Sequence, residues 1–245
     1  MNLPKGFIPV IPLKLYQTYH IKENLPPKMQ ECMDSLKNQN PEFEYELFDD
    51  DDCRNFIEDN FPIEIVKAFD ALIPGAYKAD LFRACILYIQ GGIYLDNKLN
   101  CINGFKLIEL TNREHIAYDY DNKSIWNAVM VFKPENQILM KYIKRVVENI
   151  KSDFYGDMEL WPTGPRLLGL LYEENKNLID NIELFHVYYW SQSENRQKNG
   201  MKYKDKECLM EYKEYREEKK LFGKTEHYGD LWKRRCIYDK NIKFD

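Results

Sequence analysis

The chain has 245 residues and a formal net charge of −5, from 35 basic and 40 acidic side chains; 44% of it is hydrophobic and 14% aromatic. That length is enough to bury a proper core within one large domain. Both signs of charge are mixed along most of the chain, so there is no strong electrostatic case for nucleic acid or an anionic membrane as partner. The short knot Lys233-Arg234-Arg235 is the exception and reads as a solvated helix end, with a phosphate site as the alternative.

The six cysteines (Cys32, Cys53, Cys85, Cys101, Cys208 and Cys236) form no Cys-x-x-Cys pair, which excludes zinc-site spacing. Reduced, structural thiols in a reducing compartment are expected. The apolar stretch Met1 to Pro12 is interrupted by prolines, and no later segment is long and apolar enough for a membrane span. A soluble, cytoplasmic protein without a transmembrane anchor is the expectation.

In chain order, Ile8 to Tyr19 reads as an extended segment leading into a strand. Leu25-Pro26-Pro27 opens a helix from Lys28 to Lys37, since proline suits a helix's first turn. Phe43 to Phe48 alternates as a strand does. The acidic run Asp49 to Asp52 precedes Cys53-Arg54-Asn55-Phe56-Ile57, an arrangement that caps a helix; a metal cage is the alternative. Short helices then lead to Pro74-Gly75.

Tyr77 to Asn100 organises the chain. Leu81, Phe82, Cys85, Ile86 and Ile89 recur at helical spacing as one apolar face, with Asp80, Arg83, Ala84 and Leu87 on the other side. Gly91 and Gly92 supply the backbone freedom to stop the helix. The strand Ile93-Tyr94-Leu95 then delivers Asp96, Asn97 and Lys98 to the carboxyl edge of a sheet, where open α/β folds bind ligands.

Further on, His115 to Tyr118 and Ile125 to Phe132 read as strands, and Gln137 to Ile150 as an amphipathic helix. Gly164-Pro165 opens another helix, exposing backbone N–H groups. Ile182 to Tyr189 is a last apolar strand. The Lys/Glu-dense run from Lys202 to Lys220 is expected to be a solvated helix, within a helical segment near 195–222.

Lys78-Ala79-Asp80, with Arg83, followed by Gly91-Gly92-Ile93-Tyr94-Leu95-Asp96 resembles the sugar-binding region of glycosyltransferase family 32. The family's pattern there is Ser/Lys-Ala-Asp-(two)-Arg, then Leu-Tyr-(two)-Gly-Gly-Ile-Tyr-Leu-Asp-x-Asp. Lys98 stands where the second Asp of that motif is expected. Weaker likenesses sit at Gln17, Asn127, Thr163-Gly164-Pro165 and the closing His227 to Trp232. The resemblance runs from Ile11 to Trp232, dense between Asp80 and Asp96 and thin beyond Pro165.

The resemblance implies an α/β fold of the GT-A nucleotide-sugar transferase type over residues 1–245, a mixed, mostly parallel sheet flanked by helices. It implies transfer, with retention, from a UDP- or GDP-sugar to a glycan or glycoprotein acceptor. Asp96, Lys98, Asp80 and Arg83 become the catalytic group. Gln17, Thr18, Tyr19, Gly91, Gly92, Tyr94, Asn97, Asn127, Trp161, Gly164, Pro165 and Trp232 would bind substrate. Asp96 and His227 would face Mn²⁺ or Mg²⁺, with no organic cofactor. Each has a plainer alternative: Tyr19 as strand filler, Asn127 as a buried amide, Asp80 and Arg83 as a surface ion pair. Asp119-Tyr120-Asp121, a triplet that an acid-rich chain produces by chance, is a loop bordering the acceptor side.

Transfer leaves a diphosphate whose charge must be neutralised. Asp-x-Asp does so by fixing a hard divalent ion between protein and phosphates. With Lys98 present, a two-carboxylate clamp cannot form. Either the ammonium takes the metal's place, or Asp96, phosphate oxygens, water and His227 hold the metal with Lys98 turned away, or the site only binds. Activity with weak or absent metal dependence is expected. The competing readings are a glycan- or sugar-nucleotide-binding module, and a phosphohydrolase built on Asp49 to Asp52.

Overall fold

The computed structural model describes residues 8–119, 121, 123–176, 183–192, 196–222 and 226–244. Strand β1 (Lys14–Thr18) is followed by α1 (Pro27–Gln39), β2 (Glu44–Phe48), α2 (Asp50–Asn60), α3 (Ile63–Ala71) and α4 (Gly75–Gln90). The chain continues through β3 (Gly92–Leu95), β4 (Leu99–Cys101), β5 (His115–Tyr118), β6 (Val129–Phe132), α5 (Gln137–Lys151) and α6 (Pro165–Glu174). It closes with β7 (Glu183–Gln192), β8 (Arg196–Tyr203), β9 (Lys206–Glu211), α7 (Tyr215–Phe222) and α8 (Tyr228–Lys233).

The strands form one mixed sheet in the order β2-β1-β3-β6-β5-β7-β8-β9-β4. Parallel pairing joins β1 to β2 and to β3, and β5 to β7. The pairs β3-β6, β5-β6, β7-β8, β8-β9 and β4-β9 are antiparallel. The chain therefore leaves the middle of the sheet after β3 and rejoins it at the far end as β4. Asp96, Asn97 and Lys98 make that crossing.

Two cores flank the sheet, and the strands feed both by period-two alternation. Tyr16, Tyr94, Met130 and Phe132 point to the core shared with α2 to α6, while Leu15, Ile93, Leu95, Val129 and Val131 point to the other. Helix α4 lies under the first core and is sheathed all round. Ala84 and Leu87, expected on a polar side, are fully buried, and Asp80 and Arg83 are 7% and 5% exposed. The α4 interior is thus a closed polar pair within an apolar helix rather than the outer face of an amphipathic one.

Asp49 caps α2 through a reciprocal box: its side chain accepts from the Asp52 N–H and Asp52 accepts from the Asp49 N–H. The acidic run is therefore spent on the helix terminus. The expected helix from Lys202 to Lys220 is corrected. Lys202 and Tyr203 end β8, Lys206–Glu211 is β9, and α7 alone is helical there. The cause is an inward-facing set, Met201, Tyr203, Cys208 and Leu209, that buries against the second core and overrides the charge pattern. All six cysteines are free, and five are buried. Among the described residues, no helix is long and apolar enough to cross a membrane.

Candidate active site

Because β1 and β3 run parallel, their carboxyl ends bring Thr18 and Asp96 to one edge. Two glycines make this register attainable. Gly91 has φ +63° and Gly92 φ +110°, and a Cβ on Gly92 would stand 2.7 Å from the Lys14 carbonyl oxygen. The Thr18 hydroxyl and Tyr94 phenol share a 2.8 Å hydrogen bond, and Asn97 Nδ2 donates to the Thr18 carbonyl at 2.8 Å. Gln17 is fully buried; it accepts from Tyr45 at 2.9 Å and donates to the Asp96 carbonyl at 3.4 Å. Its expected substrate-binding role is thus corrected: the amide supports the loop that carries Asp96.

Below that edge a chain of alternating charges runs from α4 into the crossing loop. Arg83 places one guanidinium nitrogen 3.3 Å from Asp80 Oδ1 and the other 3.4 Å from Asp96 Oδ1. It also donates to the Asn127 carbonyl and stacks over Tyr94 at 4.5 Å. Asp80 accepts from Asn127 Nδ2 at 2.8 Å and from the Thr163 hydroxyl at 2.9 Å. Lys98 Nζ lies 3.1 Å from Asp96 Oδ2 and 4.0 Å from Glu211 Oε1.

The electrostatics differ along this chain. Burial pushes the Asp80 carboxyl up to about 6, against the pull of Arg83, Thr163 and Asn127. Burial acts on Asp96 in the same sense, yet Lys98 and Arg83 together hold it below the usual carboxylate range. Burial also opposes the charge on Lys98, but Asp96, with Tyr215 and Glu211, keeps the ammonium above the ordinary lysine range. The outer end of the chain is thus an ionised Asp–Lys pair, with Lys98 turned toward Asp96.

Sequence comparisons match the same stretch of the chain. The family described as "Glycosyltransferase sugar-binding region containing DXD motif" matches residues 26–116, a span that holds Asp80, Arg83, Asp96 and Lys98. The chain is glycosyltransferase family 32-like. It is 30% identical over 179 residues to inositol phosphoceramide mannosyltransferase 2 of Schizosaccharomyces pombe, covering 73% of this chain and 51% of that one. Inositol phosphoceramide mannosyltransferase 3 of the same yeast is 26% identical over 73% of this chain and 49% of its own length. The chain spans about half the length of the curated relatives it matches. Its fold is that of a solved glycosyltransferase, PaToxG, at a TM-score of 0.52 and 15% identity, covering 69% of this chain and 71% of that one.

The other residues implied by the family 32 resemblance fall in four places. Asn127 joins the charged chain directly. Gly164 and Pro165 open α6, and Trp161 on the same loop donates its indole N–H to Asp157. Tyr19 stays at the β1 edge, its ring 4.3 Å from that of His20. Trp232 spends its indole N–H on the Tyr155 carbonyl at 2.8 Å, fastening α8 to the body of the protein. His227 caps α8, its Nδ1 accepting from the Gly229 N–H at 3.1 Å.

The donor set does not fit a protein-held two-carboxylate clamp for Mn²⁺ or Mg²⁺. Both Asp96 oxygens face cations, the imidazole Nδ1 of His227 is engaged, and no group of three His, Cys, Asp or Glu side chains able to hold a metal occurs among the described residues. The sequence reading missed Glu211 and Tyr215, and it noted Thr163 only within the Thr163-Gly164-Pro165 likeness, without a role in the site. Glu211 and Tyr215 lay in the Lys/Glu-dense run and carried no local signal.

Proposed function

We propose that the chain transfers a sugar from a UDP- or GDP-sugar to a glycan or glycoprotein acceptor, with retention and with an ammonium group in place of a metal clamp. The contact that carries this reading is Lys98 Nζ at 3.1 Å from Asp96 Oδ2, at the strand edge where the family's motif holds the donor diphosphate. The mannosyltransferase names of the relatives make mannose the first sugar to screen.

The chemistry asks little of the protein beyond charge and position. The bond between the anomeric carbon and the diphosphate oxygen breaks, and its electron pair goes to that oxygen. Lys98 offers a compact positive charge to the departing diphosphate. The acceptor hydroxyl oxygen bonds the anomeric carbon on the same face, and its proton passes to the leaving phosphate. Arg83, locked between Asp80 and Asp96, fixes Asp96 and through it Lys98. Asp80, buried and held by Thr163 and Asn127, keeps that guanidinium in place.

Calorimetry with UDP- and GDP-sugars, with and without Mn²⁺, followed by assay of nucleotide release with glycan acceptors, tests the reading. Donor binding with acceptor-dependent release supports it. Binding without release over long incubation points instead to a sugar-nucleotide-binding module.

A further inference from the structure

Lys98 is not held by Asp96 alone. Glu211 ends β9 and pairs in register with Leu99, the residue after Lys98. Its carboxylate is buried and lies 4.0 Å from the ammonium. The Tyr212 N–H donates to the Lys98 carbonyl at 3.0 Å. Above, the rings of Tyr215 and Trp126 each stand 5.7 Å from Nζ, a geometry in which aromatic faces attract a cation. Helix α7, which brings Tyr215, is itself fastened: the Glu218 carboxylate accepts from the Lys28 and Met29 N–H groups, at 2.7 and 3.0 Å, and from the Tyr212 phenol at 2.9 Å.

An ammonium carries three donors. Here one contact, to Asp96, has hydrogen-bond length, whereas Glu211 acts by charge and the two rings act by their faces. We propose that Glu211 and Tyr215 are positioning residues for Lys98, so that β9 and α7 supply across space the second acid that the motif lacks along the chain. They hold the ammonium beside Asp96 with donors left for a diphosphate oxygen. This inference rests on the donor reading above.

The sign of one measurement separates positioning from simple charge. Glu211→Gln removes a negative charge from beside an anion site, so as a mere neighbour Glu211 would make inorganic pyrophosphate bind more weakly in the wild type than in the variant. Positioning predicts the reverse: the variant's pyrophosphate Kd rises about tenfold, the scale of one lost charge-assisted hydrogen bond. In a Lys98→Met background the same change has nothing to position, and affinity stays level or improves. Tyr215→Leu leaves every charge in place, is expected to weaken binding in the same direction, and carries the test should Glu211→Gln fail to fold. Tighter or unchanged binding in Glu211→Gln, or an equal loss in both backgrounds, would overturn the positioning role. A wild-type protein that binds no pyrophosphate would instead sink the donor reading, and this inference with it.

Discussion

The Thr163 hydroxyl donates to Oδ2 of Asp80 over 2.9 Å, and both residues are closed off from solvent. This bond ties the loop before α6 to the middle of α4 and so connects the two sides of the site. Thr163→Val keeps the shape and leaves one carboxylate oxygen unsatisfied. The expected cost is about 1.5–3 kcal/mol, the range for a buried hydrogen bond to a charged group, read from urea unfolding at neutral pH.

Asp80 itself gives a pH prediction. Its carboxyl titrates at about 6 in the folded chain, above its ordinary value of 3.8, chiefly because burial disfavours the charge. A group raised in this way adds stability that is fully present below its unfolded pKa and is lost as pH rises through the folded one. The stability of wild type relative to Asp80→Asn should therefore fall between about pH 4 and about pH 7. Unfolding free energies of both proteins at several pH values check this, and a constant difference would contradict it.

Gly92 admits no side chain. At φ +110° an added Cβ meets the Lys14 carbonyl oxygen at 2.7 Å and Tyr16 Cε2 at 3.1 Å, both parts of the neighbouring strand. Gly92→Ala should cost well over about 1 kcal/mol, because backbone strain and the clash add. It should also loosen the β1–β3 pairing, visible as faster amide exchange at Leu15 and Tyr16.

Glu218 caps a helix other than its own. The N-cap position of α1 is Pro26, which offers no side-chain acceptor, and the Glu218 carboxylate from α7 takes two of the free N–H groups. Glu218→Ala should lower stability by about 1–2 kcal/mol, the usual cost of a lost cap. Hydrogen exchange should rise in the first turn of α1 and throughout α7 together, which a purely local cap on one helix would not produce.

Much of the first half was legible in the sequence. Helix α1, β2, the acidic cap of α2 and the Gly91-Gly92 break all follow from local signals: proline, alternation, consecutive Asp, and backbone freedom. The polar tip Asp96-Asn97-Lys98 could be placed at a strand edge for the same reason. Charge hid the rest. Cys208 and Leu209 are inward-facing residues of β9 set among Lys and Glu, so only their burial against Met201 and Tyr203 reveals a strand. The partners of Lys98 were equally hidden, since Glu211 and Tyr215 reach it through a pairing between β4 and β9 that has no sequence-local trace. Gln17 shows the opposite failure: a polar residue next to a site invites a ligand role, yet its bonds to Tyr45 and to Asp96 are internal. The residue span 177–182, where the strand from Ile182 was expected to begin, lies outside the described residues.

Lys98 is where the proposed mechanism departs from an Asp-x-Asp site, and a return to aspartate probes it most directly. Glycosyl transfer from the best donor would be measured for wild type and Lys98→Asp, each in EDTA and in excess Mn²⁺. The account predicts wild-type turnover that is the same in both conditions, and a variant that is nearly inactive in EDTA and recovers with Mn²⁺. Wild-type turnover abolished by EDTA and restored by Mn²⁺, with Lys98→Asp behaving no differently, would contradict it.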